Sequence, residues 1–215
     1  MSRKIIIFIG FISLLSFTSC IDLLNELKIN PDKSGTAFIG IEAKALGMLA
    51  NLGGEYVDEK TKNEIIGFPL EAAAILQGIN GISEVKALSK IYQGRLGVSF
   101  HFDNPKALNN AYYALSQKDR KWYYPDLVKI KKHKVKLRNL TPFINHYLNQ
   151  QQDSKLNDQM IKYVNYRTVI ELPKSIKPNS VKYGDVNTDG VILTYVIPLR
   201  EMVTNKQSTG NKVRY

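Results

Sequence analysis

The chain has 215 residues, and its 30 lysines and arginines outnumber its 19 aspartates and glutamates to give a formal net charge of +11. This length fits one domain with a sizeable core, and the single cysteine excludes an intramolecular disulfide. The positive charge favours anionic partners: nucleic acid, acidic lipid headgroups or polyanionic glycans.

The first residues follow the layout of a secretory signal peptide. Arg3 and Lys4 form a positive start, residues 5–17 are apolar, and Thr18 and Ser19 are small. The apolar run is shorter than the roughly 20 residues that span a bilayer, and a buried core helix is the alternative. We expect residues 1–19 to be removed, which takes away two bases and no acid.

The segment LSFTSC, which ends at Cys20, resembles the lipobox of bacterial lipoproteins. In that class the signal is cut before the cysteine, the sulfur receives a diacylglyceryl group, and the new amino terminus is acylated, for example with palmitate. Thr18 and Ser19 match, and Phe17 replaces the usual leucine, as in looser forms from the Bacteroidota. The resemblance implies that Cys20 anchors the mature protein in a membrane; a cysteine that merely follows a cleaved signal is the alternative.

This export changes which anionic partner is expected. Nucleic acid is not expected outside the cytoplasm, so phospholipid, glycolipid or another envelope polyanion becomes the favoured partner. No acidic run follows Cys20, and such a run would resemble a surface-export signal. We therefore expect the periplasmic face of the outer membrane.

The start of the mature chain predicts a β-hairpin. Period-two alternation over residues 21–29, the turn NPDKSG and the strand-like TAFIGIEA follow one another. KALGMLANLGG (44–54) predicts a short helix that ends at two glycines. PLEAAAILQGI (69–79) predicts a second helix with Pro69 near its start.

The middle of the chain predicts two strands and a helix. SEVKALSKIY (83–92) and RLGVSFHFDN (95–104) are strand-like, and the second places Leu96, Val98, Phe100 and Phe102 on one face. Asn104 is a suitable helix cap and Pro105 a suitable first residue for the helix that follows.

Residues 118–138 are strongly basic, and WYYPDLVKIKKHKVKLRNL (122–140) predicts two strands joined near Lys132–His133. Lysines on a hairpin can protect a sheet edge from aggregation. They can also face an anionic membrane or glycan, with Trp122, Tyr123 and Tyr124 as interfacial aromatics. The candidate anion-binding residues are Trp122, Lys129, Lys131, Lys132, Lys134, Lys136 and Arg138.

The last third predicts a helix over TPFINHYLNQ (141–150) and strands over KYVNYRTVIELP (162–173) and GVILTYVIPL (190–199). Residues 205–215 are polar and basic, and we expect a flexible tail. Residues 20–204 are therefore expected to form one α+β domain, with a mostly antiparallel sheet of hairpins and helices packed on one side.

The segment DVNTDG (185–190) matches the start of a Ca²⁺ loop, with Asp185, Asn187 and Asp189 as candidate ligands. Such a loop needs a bidentate glutamate at its twelfth position, where this chain has Val196. An Asp-Gly hairpin turn explains the same residues, and we favour it over a weak metal site.

No catalytic motif was found in the sequence. His101, His133 and His146 lack metal-ligand spacing, and there is no nucleophile elbow or phosphate loop. We expect a non-catalytic protein without a cofactor that binds a lipid, glycolipid or envelope component. A structural subunit of an envelope complex and a hydrolase without a recognisable motif stay open as alternatives.

Three stretches of the mature chain resemble the LppM-type lipoproteins. They are DKSGTAFI (32–39), VSFHFDNPKALNNA (98–111) and the pair IELPKSIKPNSV and NTDGVILTYV (170–181 and 187–196). Lys33 and Lys174 stand where that class has glycine, and Tyr195 stands near its usual tryptophan. The resemblance implies a lipid- or glycolipid-associated envelope component, and it carries over no catalytic residue.

Overall fold

The computed structural model describes residues 21–43, 59–90, 93–116, 120–141, 163–204 and 206–215. The predictions for residues 1–19, for Cys20 and for the helix over 44–54 lie outside these ranges, as does the helix predicted over 141–150 apart from Thr141. None of the helices that the structure describes is long and apolar enough to cross a membrane.

The strands and helices follow one another along the chain with short connections between most of them. The strands are β1 (Ile21–Ile29), β2 (Gly35–Glu42), β3 (Ile82–Lys90), β4 (Arg95–Phe102), β5 (Val128–Lys131), β6 (Lys134–Leu137), β7 (Val164–Glu171), β8 (Asp185–Val186), β9 (Ile192–Pro198) and β10 (Asn211–Arg214). The helices are α1 (Glu59–Gln77), α2 (Pro105–Leu115) and α3 (Leu199–Val203).

The strands form two sheets. A seven-stranded sheet has the order β3-β4-β2-β1-β7-β9-β8, and a three-stranded sheet has the order β10-β6-β5. Of the strand pairs that the structure describes, β1–β7 is parallel and the others are antiparallel. The α+β prediction, with a mostly antiparallel sheet and helices on one side, is confirmed.

The alternation in β4 builds much of the core. Leu96, Val98, Phe100 and Phe102 are each at most 1% exposed, as predicted for one face of this strand. Val98, Phe100 and Phe102 pack in one cluster with residues from both sheets and from α1 and α2. The two sheets and the helices therefore share one hydrophobic core.

Helix α2 begins as the sequence predicts. The Asn104 side-chain oxygen accepts hydrogen bonds from the Lys106 and Ala107 amides at 3.0 Å each, and Pro105 occupies the first turn. Helix α1 differs from the prediction, because it begins at Glu59 and contains Pro69 in its interior. Residues Ala72, Ala73 and Leu76 bury this helix in the core, and that burial offsets the cost of an internal proline.

The predicted flexible tail is corrected by the structure. Asn211–Arg214 form β10, which pairs with β6, and Val213 and Tyr215 are buried. Lys212 and Arg214 make the segment look polar, but they alternate with the apolar residues that point into the core. The segment is a strand of the second sheet.

Helix α2 fixes the position of the second sheet through Asn109, which is 1% exposed. Its amide nitrogen donates to the Val128 carbonyl at 2.8 Å, and its oxygen accepts from the Val128 amide at 3.0 Å. A buried side chain with both its donor and its acceptor bonded to β5 holds that strand in register against the helix.

Candidate functional site

The outer surface of the three-stranded sheet is a continuous layer of cations, which we call the basic face. Its apolar side packs in the core, and its other side carries Lys129, Lys131, Lys134, Lys136, Lys212 and Arg214. The strand register aligns them in two rows. The first row is Lys129–Lys136–Lys212, and the second is Lys131–Lys134–Arg214.

These cations repel one another. Residues directly opposite in an antiparallel pair have their Cβ atoms about 5 Å apart, and like charges there are destabilising. Lys212 is the main cause of a lowered pKa at Lys134; partial burial adds to it, followed by the positive charges of Lys131, Arg214 and Lys136. The face therefore costs the folded protein free energy unless an anion neutralises it.

Several cations of the large sheet are arranged differently, because acids pair with them. Arg167 contacts Asp22 and Glu42, and Lys28 lies 2.7 Å from Glu171. Within the described residues, the basic face makes one ion pair, in which Lys129 Nζ lies 3.8 Å from Asp126 Oδ2. The positive charge of the second sheet is thus not balanced locally.

Edge protection does not account for this arrangement. Lys134 and Lys136 lie on β6, the central strand, whose two sides are both paired. On the outer side of β10, the Lys212 amide donates to the Asn211 side chain at 2.8 Å and the Arg214 amide donates to Ser180 Oγ at 3.2 Å. Lysines on β5 could protect its edge, but those on β6 have no edge to protect.

An aromatic loop lies beside the basic face. Trp122 is 96% exposed and Tyr123 is 57% exposed, whereas Tyr124 packs its ring 5.3 Å from that of Tyr113. Arg120 holds the loop through Asp126 and through Asn110 Oδ1 at 3.1 Å. A fixed loop therefore presents a tryptophan and a tyrosine to solvent.

Two concave regions flank Lys129. The first, which we call the trough, has a volume of about 940 Å³ and lies between the first row of the basic face, Arg138 and the segment Asn179–Lys182. The second, of about 660 Å³, is lined by Trp122, Lys129 and Lys131 among others. Both concavities include Asp126.

The structure places four of the predicted cations on the basic face and two beside it. Four predicted lysines share the basic face, Lys132 lies in the turn between β5 and β6, and Arg138 lies just past β6. Sequence reasoning missed Lys182, Lys212 and Arg214. The alternation of charged and apolar residues over 212–215 was the available signal for β10.

The DVNTDG segment forms a hairpin turn. The Asn187 side-chain oxygen accepts hydrogen bonds from the Val191 amide at 3.0 Å and the Ile192 amide at 2.8 Å, and Gly190 has a φ of +73°. An amide oxygen has two lone pairs, so this one is already occupied. The part of the chain that the structure describes contains no group of three or more histidine, cysteine, aspartate or glutamate residues suited to hold a metal ion.

Several tyrosines inside the fold have raised pKa values. Burial raises the pKa of Tyr112 well above its usual value, and its hydroxyl donates to Asn25 Oδ1 at 2.6 Å. Burial likewise raises the pKa of Tyr166 and Tyr195. The Tyr195 hydroxyl donates to the Thr209 carbonyl at 3.1 Å. These phenols stay neutral. The Tyr112 bond joins α2 to β1, and the Tyr195 bond joins β9 to the segment that leads into β10.

No family model and no curated protein matches the chain. Among solved structures, the chain is similar to the NMR structure of the folded domain of LppM from Mycobacterium tuberculosis. The identity is 12%, the match covers 92% of this chain and 91% of that chain, and the TM-score is 0.41.

Proposed function

We propose that this chain is a lipid-anchored, non-catalytic envelope protein whose folded domain binds the anionic headgroups of a membrane surface. The lipobox-like segment supports the anchor at Cys20. The basic face supports the headgroup binding. The aromatic loop, with Trp122 and Tyr123 exposed, provides side chains of the kind that lie at membrane–water interfaces.

The observation that carries the proposal is the position of Lys134 and Lys136 on the central strand β6. Cations there are not needed to protect an edge, and they repel neighbours on both sides. This repulsion destabilises the free protein, and a bound anion would relieve it. Such an arrangement favours a binding role. Its extent over three strands matches an extended anionic surface better than a single small ion.

The energies involved are large enough to matter. Each lysine or arginine near an anionic membrane contributes about 1 kcal/mol. Burying about half of a tryptophan side chain at the interface contributes about 2 kcal/mol more. Two or three acyl chains at Cys20 would by themselves anchor the protein stably in the membrane. The basic face would then orient the domain rather than hold it at the membrane.

A non-catalytic role fits the chemistry of both concavities. Their described linings hold cations, amides and the carboxylate of Asp126, which already pairs with Arg120. Ser180, which also lines the trough, exchanges hydrogen bonds with the backbone of Arg214. Neither carboxylate nor hydroxyl is positioned as a free nucleophile.

A second candidate function is a subunit of an envelope protein complex. Helix α1 supports it, because Phe68, Leu70 and Ile75 on this helix are 38%, 65% and 40% exposed. Exposed apolar side chains grouped on one helix mark protein interaction sites in other proteins. A domain that binds neither neutral nor anionic vesicles would favour this candidate.

Binding to vesicles with and without anionic lipid tests the headgroup proposal. Every described element lies between Ile21 and Tyr215, so the chain begun at Ile21 is suitable. Replacing Lys134 and Lys136 with glutamine should weaken binding to anionic vesicles roughly 30-fold, since about 2 kcal/mol is lost.

The matched control replaces Lys86 and Lys90 on β3, in the other sheet, with glutamine. It removes the same charge and should change vesicle binding less than about twofold, given distance and screening. Equal losses in the two variants would mean that net charge alone drives the binding, and the role of the face would be rejected.

The anchor is tested by a Cys20→Ser variant expressed in a bacterium that processes lipoproteins. We expect it to stay uncleaved and to lose the acyl modification, which mass spectrometry of the mature amino terminus measures. Cleavage before residue 20 together with membrane fractionation that survives removal of the basic face would contradict lipid anchoring at this residue.

A further inference from the structure

The trough differs from the rest of the basic face in shape and composition. Beyond the first row of the face, Arg138 and Lys182 also line it. The second row, Lys131–Lys134–Arg214, is not part of its lining. The first row thus borders the trough, and the second row lies outside it.

The trough holds far more positive than negative charge. Lys129, Lys136, Arg138, Lys182 and Lys212 line it, and the carboxylate in the described lining is that of Asp126. Arg120 pairs with that carboxylate from outside the trough. A ligand with one negative charge would leave most of these cations unpaired, so the site suits a multiply charged anion.

We propose that the trough is a binding site for a phosphomonoester, a deepening that rests on the proposed headgroup binding. A phosphomonoester carries a charge of about −1.5 to −2 at pH 7 and three acceptor oxygens. The planar guanidinium of Arg138 can bind two of those oxygens at once, and the lysines act as point charges around the others. The volume of about 940 Å³ leaves room for the group that carries the phosphate.

The backbone around the trough supports a fixed site. Ser180 bonds to both the amide and the carbonyl of Arg214, and the Lys177 amide donates to the same carbonyl at 2.9 Å. The Asn211 side chain donates to the Tyr183 carbonyl at 2.8 Å. These bonds hold the segment that carries Lys182 against β10, so this side of the trough is set before a ligand arrives.

The phosphomonoester could belong to a lipid headgroup or to a free solute, and two arms separate these sources. In the first arm, glycerol 3-phosphate is titrated into the chain begun at Ile21 by calorimetry. In the second arm, vesicles with phosphatidic acid are compared with vesicles of equal surface charge made with phosphatidylglycerol, whose phosphate is a diester. We expect binding of glycerol 3-phosphate and a preference for phosphatidic acid.

A pair of charge-matched variants locates the site. Arg138→Gln with Lys182→Gln removes two trough cations, and Lys131→Gln with Lys134→Gln removes two cations of the second row. The trough variant should lose about tenfold or more in affinity for glycerol 3-phosphate. The second-row variant should keep that affinity within about twofold, because its cations lie outside the trough.

Each outcome is decisive. Equal losses in both variants, or no binding of glycerol 3-phosphate with equal binding to the two anionic vesicles, would overturn the trough and leave general headgroup binding intact. Binding of glycerol 3-phosphate without any vesicle binding would support the trough as a site for a free phosphomonoester and would reject the proposed membrane role.

Discussion

At the scale of single residues, Lys134 links stability to binding. Its neighbours Lys212, Lys131 and Arg214 lower its pKa in the folded protein, which means that folding disfavours its charged form. Below this lowered pKa, the lysine is charged in both states, and the repulsion weakens the fold. As pH rises from there toward the usual value of 10.5, the unfolded chain binds more protons and stability rises.

We therefore expect Lys134→Gln to raise the thermal unfolding midpoint at neutral pH and to weaken vesicle binding. The variant should also lose part of the rise in stability on the alkaline side, which a pH series of unfolding curves would measure. Lys86→Gln on β3 is the matched control for charge alone. An unchanged or lower midpoint for Lys134→Gln would mean that its neighbours do not repel it.

At the scale of elements, β10 converts a basic hairpin into a basic face. Without this strand, β5 and β6 would both be edge strands, and their four lysines could be explained as edge protection. Lys212 and Arg214 extend each row to three cations and make β6 central. The function proposed here thus depends on the residues that the sequence suggested were a flexible tail.

The strand is expected to contribute to stability. Val213 is 1% exposed, so Val213→Ala should lower the free energy of unfolding by about 2 kcal/mol through lost burial and a cavity. Val186→Ala makes the same chemical change at a site that is 41% exposed on β8, and it should cost much less. Urea unfolding of both variants measures the difference; equal costs would argue against a packed β10.

Local patterns predicted most of the fold, and long-range pairing supplied the rest. The alternation in β4 and the cap at Asn104 act within a few residues, so both could be predicted. The pairing of β10 with β6 joins Val213 to Val135, and a short alternation cannot reveal a partner so distant in sequence. Pro69 misled the prediction for α1 because tertiary packing outweighed the local preference for a helix start.

In the candidate site too, the local features could be predicted from the sequence and the long-range contacts could not. The lysines of β5 and β6 were predicted as one cluster, since both strands and their turn are contiguous in sequence. Lys182 could not be assigned to the site, because its segment reaches the trough through hydrogen bonds to β10, such as those between Ser180 and Arg214. The trough is therefore a property of the folded chain rather than of any one stretch of sequence.

At the scale of the whole molecule, charge is distributed unevenly. The large sheet pairs several of its cations with acids, as at Arg95 and Glu26, while the small sheet concentrates unbalanced lysines on its outer side. The exposed aromatic loop lies beside that side, held by Arg120. A lipid anchor at Cys20 would bring this domain to a membrane. The basic face, through its uneven charge, would then determine how the domain is oriented there.

The most direct measurement uses the fluorescence of Trp122, because it is the single tryptophan of the chain and is 96% exposed. The chain begun at Ile21 is titrated with vesicles of phosphatidylcholine, with and without phosphatidylglycerol, over a series of salt concentrations. We expect the emission of Trp122 to shift to the blue with the anionic vesicles and not with the neutral ones. The shift should be lost as salt screens the lysines. An equal shift with neutral vesicles, or binding without any shift, would contradict docking through the basic face and its aromatic loop.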